Sequence, residues 1–407
     1  MISCYTNCVS PHQLPLAREI VKRVGSENFR YVYRDERSQE RTVIWCGNED
    51  LPEWCKRGDE NTPELLAADI LYCGGLRPFG LFEKRLKNGK KTLYMTERWF
   101  KPPIGMLRLL HPRYFRYARR LAKMMDSPNF MVLPIGVHAA KDIARLCGLM
   151  HGDLRCLFRA PRLEFEKCPG GKIGVSSQGL VVSEESLVAS RRYCLDKMRM
   201  WGYFVASSQE LGVRDEGLGN HSRLTTNNYH LTTKKVLWVG RLLKLKRVDT
   251  IIRAVGEISR AHTASKRLTT NDYQLTTTLD IYGTGPEENR LKKLAAKYGD
   301  VVKFHPPVPI DEVRKLMRDH DIYVLASNAY EGWGAVVSEA LEEGMNVIGT
   351  YEAGASATIL PKERLFHSGD CKALVAIIEK ECKGALPPCT IGNWTADKAA
   401  ERLVVSR

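Results

Sequence analysis

Between Asp321 and Gly354 the chain switches its hydrophobic period twice, and that alternation limits the folds open to it. Ile322-Tyr323-Val324-Leu325-Ala326 is an unbroken apolar run bounded by Ser327 and Asn328, the length of a buried strand. Tyr330-Glu331-Gly332-Trp333-Gly334 follows as a glycine-bearing turn, and Ala335, Val336, Val337, Ala340 and Leu341 then recur at helical spacing up to Gly344. Asn346-Val347-Ile348-Gly349-Thr350 reads as a second buried strand. Strand, turn, helix and strand make one α/β unit. Strands that are continuously apolar, rather than alternating, belong in a parallel sheet covered on both faces.

Two glutamates punctuate this unit, Glu331 in the turn and Glu339 on the helix, with seven residues between them. A helix beginning near Gly334 lifts Glu339 into its second turn, roughly 7 Å above the start. The two carboxylates then bracket a space about one sugar ring long. The helix N-terminus between them attracts phosphate through its free N–H groups and dipole, and Gly332 and Gly334 let the backbone come close. A capping glutamate and a solvated one on the helix flank explain the same spacing, so the neighbouring segments must decide.

The first half repeats the pattern. Strands are expected at Met1 to Tyr5, Phe29 to Tyr33, Thr42 to Cys46, Ile70 to Cys73, Thr92 to Met95 and Phe130 to Pro134, with helices between several of them. Ligands on such a sheet bind beyond the carboxyl ends of the strands. Three strand ends matter on that ground: the loop holding His12, the Gly74-Gly75 pair, and Thr96-Glu97-Arg98. His12 is equally a solvated loop histidine. Glu97 stands out as the one acidic residue between Lys84 and Lys123, a span with thirteen Lys or Arg.

Within that span, Met106 to Leu110 and Arg113 to Leu121 interleave aromatic, aliphatic and basic side chains at helical spacing. A helix on an anionic bilayer surface has this pattern, and so does a core-facing helix with a solvated basic face. The whole chain carries a net charge of +15, which favours a polyanionic partner: a nucleotide diphosphate, nucleic acid or an anionic membrane. Twelve cysteines without a Cys-x-x-Cys pair, and no signal-like start, point to buried thiols in a cytosolic protein. No run reaches the length of a transmembrane helix.

Cys156 to Gly179 reads as loop, Glu184 to Met198 as helix, and Ala206 to Ser222 as a polar, glycine-rich linker. The expected division is an N-terminal Rossmann-like domain over 1–205, a linker with an inserted loop over 206–233 and a second Rossmann-like domain over 234–391. A C-terminal helix over about 392–407 is expected to pack back on the first domain. Arg223 to Thr233 and Arg267 to Thr277 are near copies, RLTTNNYHLTT and RLTTNDYQLTT; two copies make no solenoid, and they read as inserted loops or small hairpins.

In the second half, Lys235 to Val239 is a strand ending in Gly240-Arg241-Leu242, and Arg241, Lys244, Lys246 and Arg247 crowd the loop before the next helix. Cations in a loop after a parallel strand suit a diphosphate, each charge-assisted hydrogen bond contributing roughly 1.5–3 kcal/mol. A solvated basic loop looks the same until a partner is found. The strand Thr278 to Tyr282 ends in Gly283-Thr284-Gly285-Pro286.

Taken in order, Val239-Gly240-Arg241-Leu242, Lys246, Tyr282-Gly283-Thr284-Gly285-Pro286, Glu331-Gly332-Trp333-Gly334 and Glu339-Ala340 resemble the retaining glycosyltransferases of family 4, over roughly Lys234 to Leu360. The resemblance implies the GT-B fold, two Rossmann-like domains with parallel sheets facing across a cleft. It implies transfer of a sugar from a UDP- or GDP-linked donor, with retention and without metal or further cofactor, to a glycan or lipid-linked acceptor in bacterial surface polysaccharide synthesis. Arg241 and Lys246 would hold the diphosphate and Glu331 the donor sugar. The amides of Gly332, Trp333, Gly334 and Ala335 would lie near sugar or phosphate, Glu339 on the ribose, and Gly283 and Gly285 on the nucleotide side. Glu97 stands where many members carry a histidine near the reacting carbon, and His12 falls on the acceptor side. Two positions depart from the pattern: the first loop lacks its glycines, and Arg247 replaces the usual glycine after the lysine. The expected location is cytoplasmic, with peripheral attachment at the inner membrane face. The rivals are a basic nucleic-acid-binding protein, motivated by charge, and a sugar-nucleotide epimerase or a phosphorylase of the same fold. No Asp-x-Asp lies at the carboxyl end of a strand; Asp319-His320-Asp321 precedes one.

Overall fold

A computed structural model describes residues 1–9, 13–34, 51–158, 167–168, 172–173, 232–265, 275–392 and 395–405. Its first unit opens with β1 (Ile2–Thr6), α1 (Leu14–Val24), β2 (Phe29–Tyr33), β3 (Cys55–Arg57) and α2 (Pro63–Ala67). It continues with β4 (Ile70–Gly74), α3 (Phe79–Lys87), β5 (Lys91–Thr96), α4 (Pro112–Met125), β6 (Phe130–Pro134) and α5 (Gly136–Met150). The six strands form one sheet in the order β3-β2-β1-β4-β5-β6, every pair parallel. A two-residue antiparallel pair, β7 (Lys167–Cys168) and β8 (Lys172–Ile173), lies outside this sheet.

The second unit runs through β9 (Thr232–Val239), α6 (Val248–Ser265), β10 (Leu275–Tyr282), α7 (Glu288–Ala295), β11 (Val302–His305) and α8 (Ile310–Arg318). It then adds β12 (Ile322–Leu325), α9 (Val336–Glu342), β13 (Asn346–Thr350), α10 (Gly354–Ile359), β14 (Leu365–Phe366), α11 (Cys371–Cys382) and α12 (Ala396–Val405). Its sheet, β11-β10-β9-β12-β13-β14, is again wholly parallel. Both sheets reverse strand order next to their first strand, between β1 and β4 and between β9 and β12, where a crevice opens at the carboxyl ends.

Helices cover both faces of each sheet because the strands carry apolar groups on both. On β1, Tyr5 enters one core layer and Ile2 and Cys4 the other. On β12, Ile322 and Val324 face one layer and Tyr323 and Leu325 the other. The buried Cys4 and Cys73 are free thiols, their pKa values pushed up by burial, and Cys8 lies in the loop after β1.

Some expectations are corrected, and others fall on residues that are not described. The third strand expected at Thr42 to Cys46 falls outside the described residues, and the edge position is filled by β3, whose Cys-Lys-Arg sequence carries no apolar signal. α9 starts at Val336, not near Gly334, so Glu339 sits in its first turn. The two near-copies are not wholly loops. Thr232 and Thr233 end the first and open β9, Leu275 to Thr277 end the second and open β10, and these ends pair in register, Leu275 with Thr232 and Thr276 with Thr233. Removing Arg223 to Thr233 would therefore shorten a central strand. The expected helix at Glu184 to Met198 and the linker at Ala206 to Ser222 also fall outside the described residues. Among the described residues no helix is long and apolar enough to cross a membrane.

The last helix, α12, lies against the first unit: Ala396, Ala399, Ala400 and Leu403 share a core with Leu16, Ala17 and Ile20 of α1. Small residues let the two helices approach, and Arg23 pairs with Asp397 at the margin. Ala400 is fully buried there. Ala400→Glu, which forces an unpaired charge into that contact, is expected to cost about 2–3 kcal/mol in urea unfolding. An unchanged midpoint would mean that α12 is not anchored.

Candidate active site

The loops at the carboxyl ends of β9, β10 and β12 converge. Gly240 N donates to Tyr282 O (3.0 Å) and Leu242 N to Thr284 O (2.9 Å), which ties the loop after β9 to the loop after β10. A Cβ on Gly283 would stand 1.9 Å from Gly240 O, and one on Gly285 2.6 Å from Leu242 O. These two glycines are required by the approach of the neighbouring backbone. Asn328 N donates to Leu245 O (2.9 Å), which ties the loop after β12 to the same place.

Lys246 and Glu331 are 85 residues apart and meet: Lys246 Nζ donates to Glu331 Oε2 at 2.6 Å. The pair is largely shielded, with 21% and 13% of the side chains exposed. Ser327 Oγ donates to the same oxygen at 2.8 Å, and Thr350 Oγ1 in turn donates to Ser327 O at 2.6 Å. Ser327 is a residue that sequence reasoning treats only as a strand boundary. Arg241 sits on the Lys246 loop with its side chain exposed, and no carboxylate pairs with it among the described residues.

Tyr323 reads in the sequence only as part of an apolar strand. Its hydroxyl donates to Val239 O at 3.4 Å, and burial together with the nearby Glu339 and Glu331 carboxylates raises its pKa. Glu339 is itself buried, 5% exposed. Arg314 of α8 braces the helix beneath it, donating to Glu339 O (3.1 Å), Glu343 (3.2 Å) and Glu342 (3.0 Å). Because α9 has only seven residues, its dipole adds less at Gly334 and Ala335 than the sequence pattern implied.

The first unit closes the other side. Glu97, just past β5, lies so near Gly332 that a Cβ there would come within 2.8 Å of its carboxylate. Lys101 Nζ donates to Glu97 Oε2 at 2.6 Å. At the start of α5, Gly136 lies under Trp333, whose ring a Cβ would meet at 2.7 Å. Val137 N donates to Thr358 Oγ1 (3.1 Å), and His138 Nε2 bonds Tyr351 O (2.7 Å). A carbonyl partner requires that His138 Nε2 carry the proton, and burial and Arg98 lower its pKa. Trp333 thus packs between the units. Gly334 adopts a positive φ of 83°, with Leu325 beside it, and Ala335 precedes α9. His12 lies outside the described residues.

The structure therefore gathers Lys246, Glu331, Glu97, Gly332 and the turn to Ala335 at one seam, with Glu339 buried in the first turn of α9. Among the described residues no group of His, Cys, Asp and Glu could hold a metal. Asp321 is engaged elsewhere, with Lys234 Nζ and Lys235 N, both at 2.8 Å.

Residues 226–384 match the family of glycosyl transferases, group 1. Over 132 residues the chain is 32% identical to a D-inositol 3-phosphate glycosyltransferase of Acidothermus cellulolyticus, covering 30% of this chain and 27% of that protein. Over 134 residues it is 27% identical to the GtfA subunit of the UDP-N-acetylglucosamine–peptide N-acetylglucosaminyltransferase of Streptococcus pneumoniae, covering 32% and 24%. The match thus spans about a quarter of the length of these curated relatives. Among solved structures, a trehalose-6-phosphate synthase superposes on 100% of this chain and 98% of its own, with TM-score 0.54 and 9% identity. Anabaena Alr3699/HepE in complex with UDP superposes on 100% and 95%, with TM-score 0.51 and 14% identity. The fold they share with this chain is GT-B.

Glu342 offers a pH test of the brace under Glu339. Burial outweighs Arg314 and lifts its pKa from 4.5 to about 7. An acid whose folded pKa is raised contributes stability that is present below its unfolded value and lost as pH rises through the folded one. Between pH 5 and pH 8 the wild type should therefore lose about 1–2 kcal/mol relative to Glu342→Gln, read from urea midpoints. A constant difference across that range would refute the assignment.

Proposed function

We propose that this chain, whose residues 226–384 belong to the group 1 glycosyl transferases, moves a sugar from a nucleoside-diphosphate donor to a glycan or lipid-linked acceptor with retention at the anomeric carbon. The observation that carries this reading is the Lys246–Glu331 contact at the carboxyl ends of β9 and β12, a cation and a carboxylate joined at the reversal of strand order. A diphosphate needs cations, a sugar ring needs acceptors for its hydroxyls, and here one of each is set side by side.

In this reading Arg241 and Lys246 hold the diphosphate. As the glycosidic bond lengthens toward an oxocarbenium-like state, charge builds on the departing phosphate, and fixed cations there stabilise it more than they stabilise the ground state. Glu331, oriented by Ser327 on one oxygen, accepts from donor-sugar hydroxyls with its remaining capacity. Glu339 binds the ribose and Glu97 faces the reacting carbon from the opposite unit. The acceptor approaches on the leaving-group face, its proton passing to the phosphate. The scheme as proposed uses no resident metal or cofactor. The Anabaena protein of like fold is described in complex with UDP, a nucleotide of the class this reading assigns to the donor. A role in bacterial surface polysaccharide synthesis and a cytoplasmic site of action are part of the same proposal.

The nucleic-acid reading fares less well, since the carboxylates of Glu97 and Glu331 lie at the seam that a phosphate backbone would have to enter.

A thermal-shift panel of UDP-, GDP- and ADP-sugars is expected to single out one base, because a ligand at about 100 times its Kd adds about 2.7 kcal/mol of stability. With that donor, Glu331→Ala and Lys246→Ala should each lower turnover by about 100-fold or more with the circular-dichroism spectrum unchanged. Near-normal turnover in either variant sinks the proposal.

A further inference from the structure

The basic, aromatic segment after Glu97 is not one amphipathic helix. Gly105–Leu110 is a 3-10 helix and Pro112–Met125 is α4, whose apolar face, including Ala118, Leu121 and Met125, belongs to the core. Side chains at i and i+3 eclipse in a 3-10 turn. Ile104, its N-cap residue, Leu107 and Leu110 therefore stand in one row about 12 Å long at about 2 Å rise per residue. They are 51%, 65% and 80% exposed, and Phe115 beyond them is 45% exposed. Met106 and Leu109, from the opposite side of the same turn, pack on the core and hold the row in place.

Cations surround this row. Arg108 and Arg77 lie over the Tyr114 ring, each 5.8 Å from its centroid, and Arg113 donates to Tyr117 Oη at 3.0 Å. Arg116 and Arg119 are exposed on the next turns of α4. Among the described residues no carboxylate pairs with Arg108, Arg113, Arg116 or Arg119, although Arg120 beside them is paired with Glu83. An apolar row one side chain wide is too narrow for the core of a protein interface, and exposed leucines do nothing for a phosphate backbone. Together they match a bilayer, with aliphatic groups at the acyl boundary and guanidinium groups on lipid phosphates.

We propose that the Ile104–Leu107–Leu110 row, with Phe115 and the arginines around it, docks this protein on an anionic lipid bilayer. The row begins seven residues after Glu97, so docking places the first unit's side of the seam close to the membrane. This holds whether or not the chain transfers sugars.

The test is co-sedimentation of the full chain with phosphatidylglycerol–phosphatidylcholine vesicles and with pure phosphatidylcholine vesicles. Wild type should partition at least about tenfold more strongly to the anionic vesicles and be released by 0.5 M salt. The triple variant Ile104→Ser, Leu107→Ser, Leu110→Ser should lose at least about tenfold, and Arg113→Gln with Arg116→Gln and Arg119→Gln should erase the preference for anionic lipid. If the triple variant does not fold, Leu110→Ser alone is read, with a loss of about threefold or more expected. The indole introduced by Leu110→Trp, read as the difference from wild-type emission, should shift to the blue on anionic vesicles. Equal binding to both vesicle types, full binding by the apolar variants, or a difference emission from Leu110→Trp that stays at its aqueous maximum would each overturn docking. So would an RNA that binds with the same dependence on Leu107 and Leu110, which would reassign the surface to nucleic acid.

Discussion

One carboxylate oxygen, Glu331 Oε2, receives donors from two different loops: Lys246 after β9 and Ser327 after β12. Those strands are neighbours across the point where the sheet reverses direction, so their two loops leave toward opposite sides and would otherwise diverge. The shared oxygen draws them together, and the backbone bond from Asn328 N to Leu245 O holds them at the same height. A charge-assisted hydrogen bond in a partly dry site is stronger than its counterpart in water. Losing either donor leaves a shielded carboxylate short of partners, which is why Ser327 matters although it would touch no substrate in the scheme above.

The second constraint is contact between the units, and it depends on what is missing. Gly136 and Gly332 have no side chain where Trp333 and Glu97 press against them. Ile135 packs against the apolar layers of both units, so the seam has a hydrophobic floor as well as the polar links from Val137 and His138. With α12 returning to α1, the units are joined at two separate places, and Glu97 of the first unit reaches the backbone of Gly332 in the second.

Most of the layout was legible because it rests on apolar periodicity. The runs at Ile322 to Ala326 and Asn346 to Thr350 became β12 and β13 nearly residue for residue, and the order of strands and helices led to the two doubly wound sheets. What escaped has a physical reason in each case. β3 is an exposed edge strand with no apolar signal. Tyr323 hid inside a hydrophobic run because only its hydroxyl is polar, and a pattern of polarity does not report a buried phenol bonded to Val239 O. Ser327 looked like punctuation after a strand. The contact of Lys246 with Glu331 follows from spacing only once a fold places β9 beside β12. The near-copies misled because a closing Thr-Thr reads as polar loop, whereas the two ends side by side extend a parallel ladder.

Arg247 shows how the loop after β9 keeps its shape with a residue that carries a side chain. It is the one non-glycine with a positive φ among the described residues, at φ 49° and ψ 39°, so the left-handed turn after Lys246 is preserved where a glycine would adopt it freely. A side chain there costs roughly 1–2 kcal/mol. Arg247 offsets part of that through Nε to Asp249 Oδ1 at 3.3 Å, and its guanidinium packs so closely on Gly369 that a Cβ there would stand 3.0 Å from it. The turn fixes the direction in which Lys246 leaves the loop, and hence the meeting with Glu331. Conformation at this position, rather than residue identity, is what the site requires.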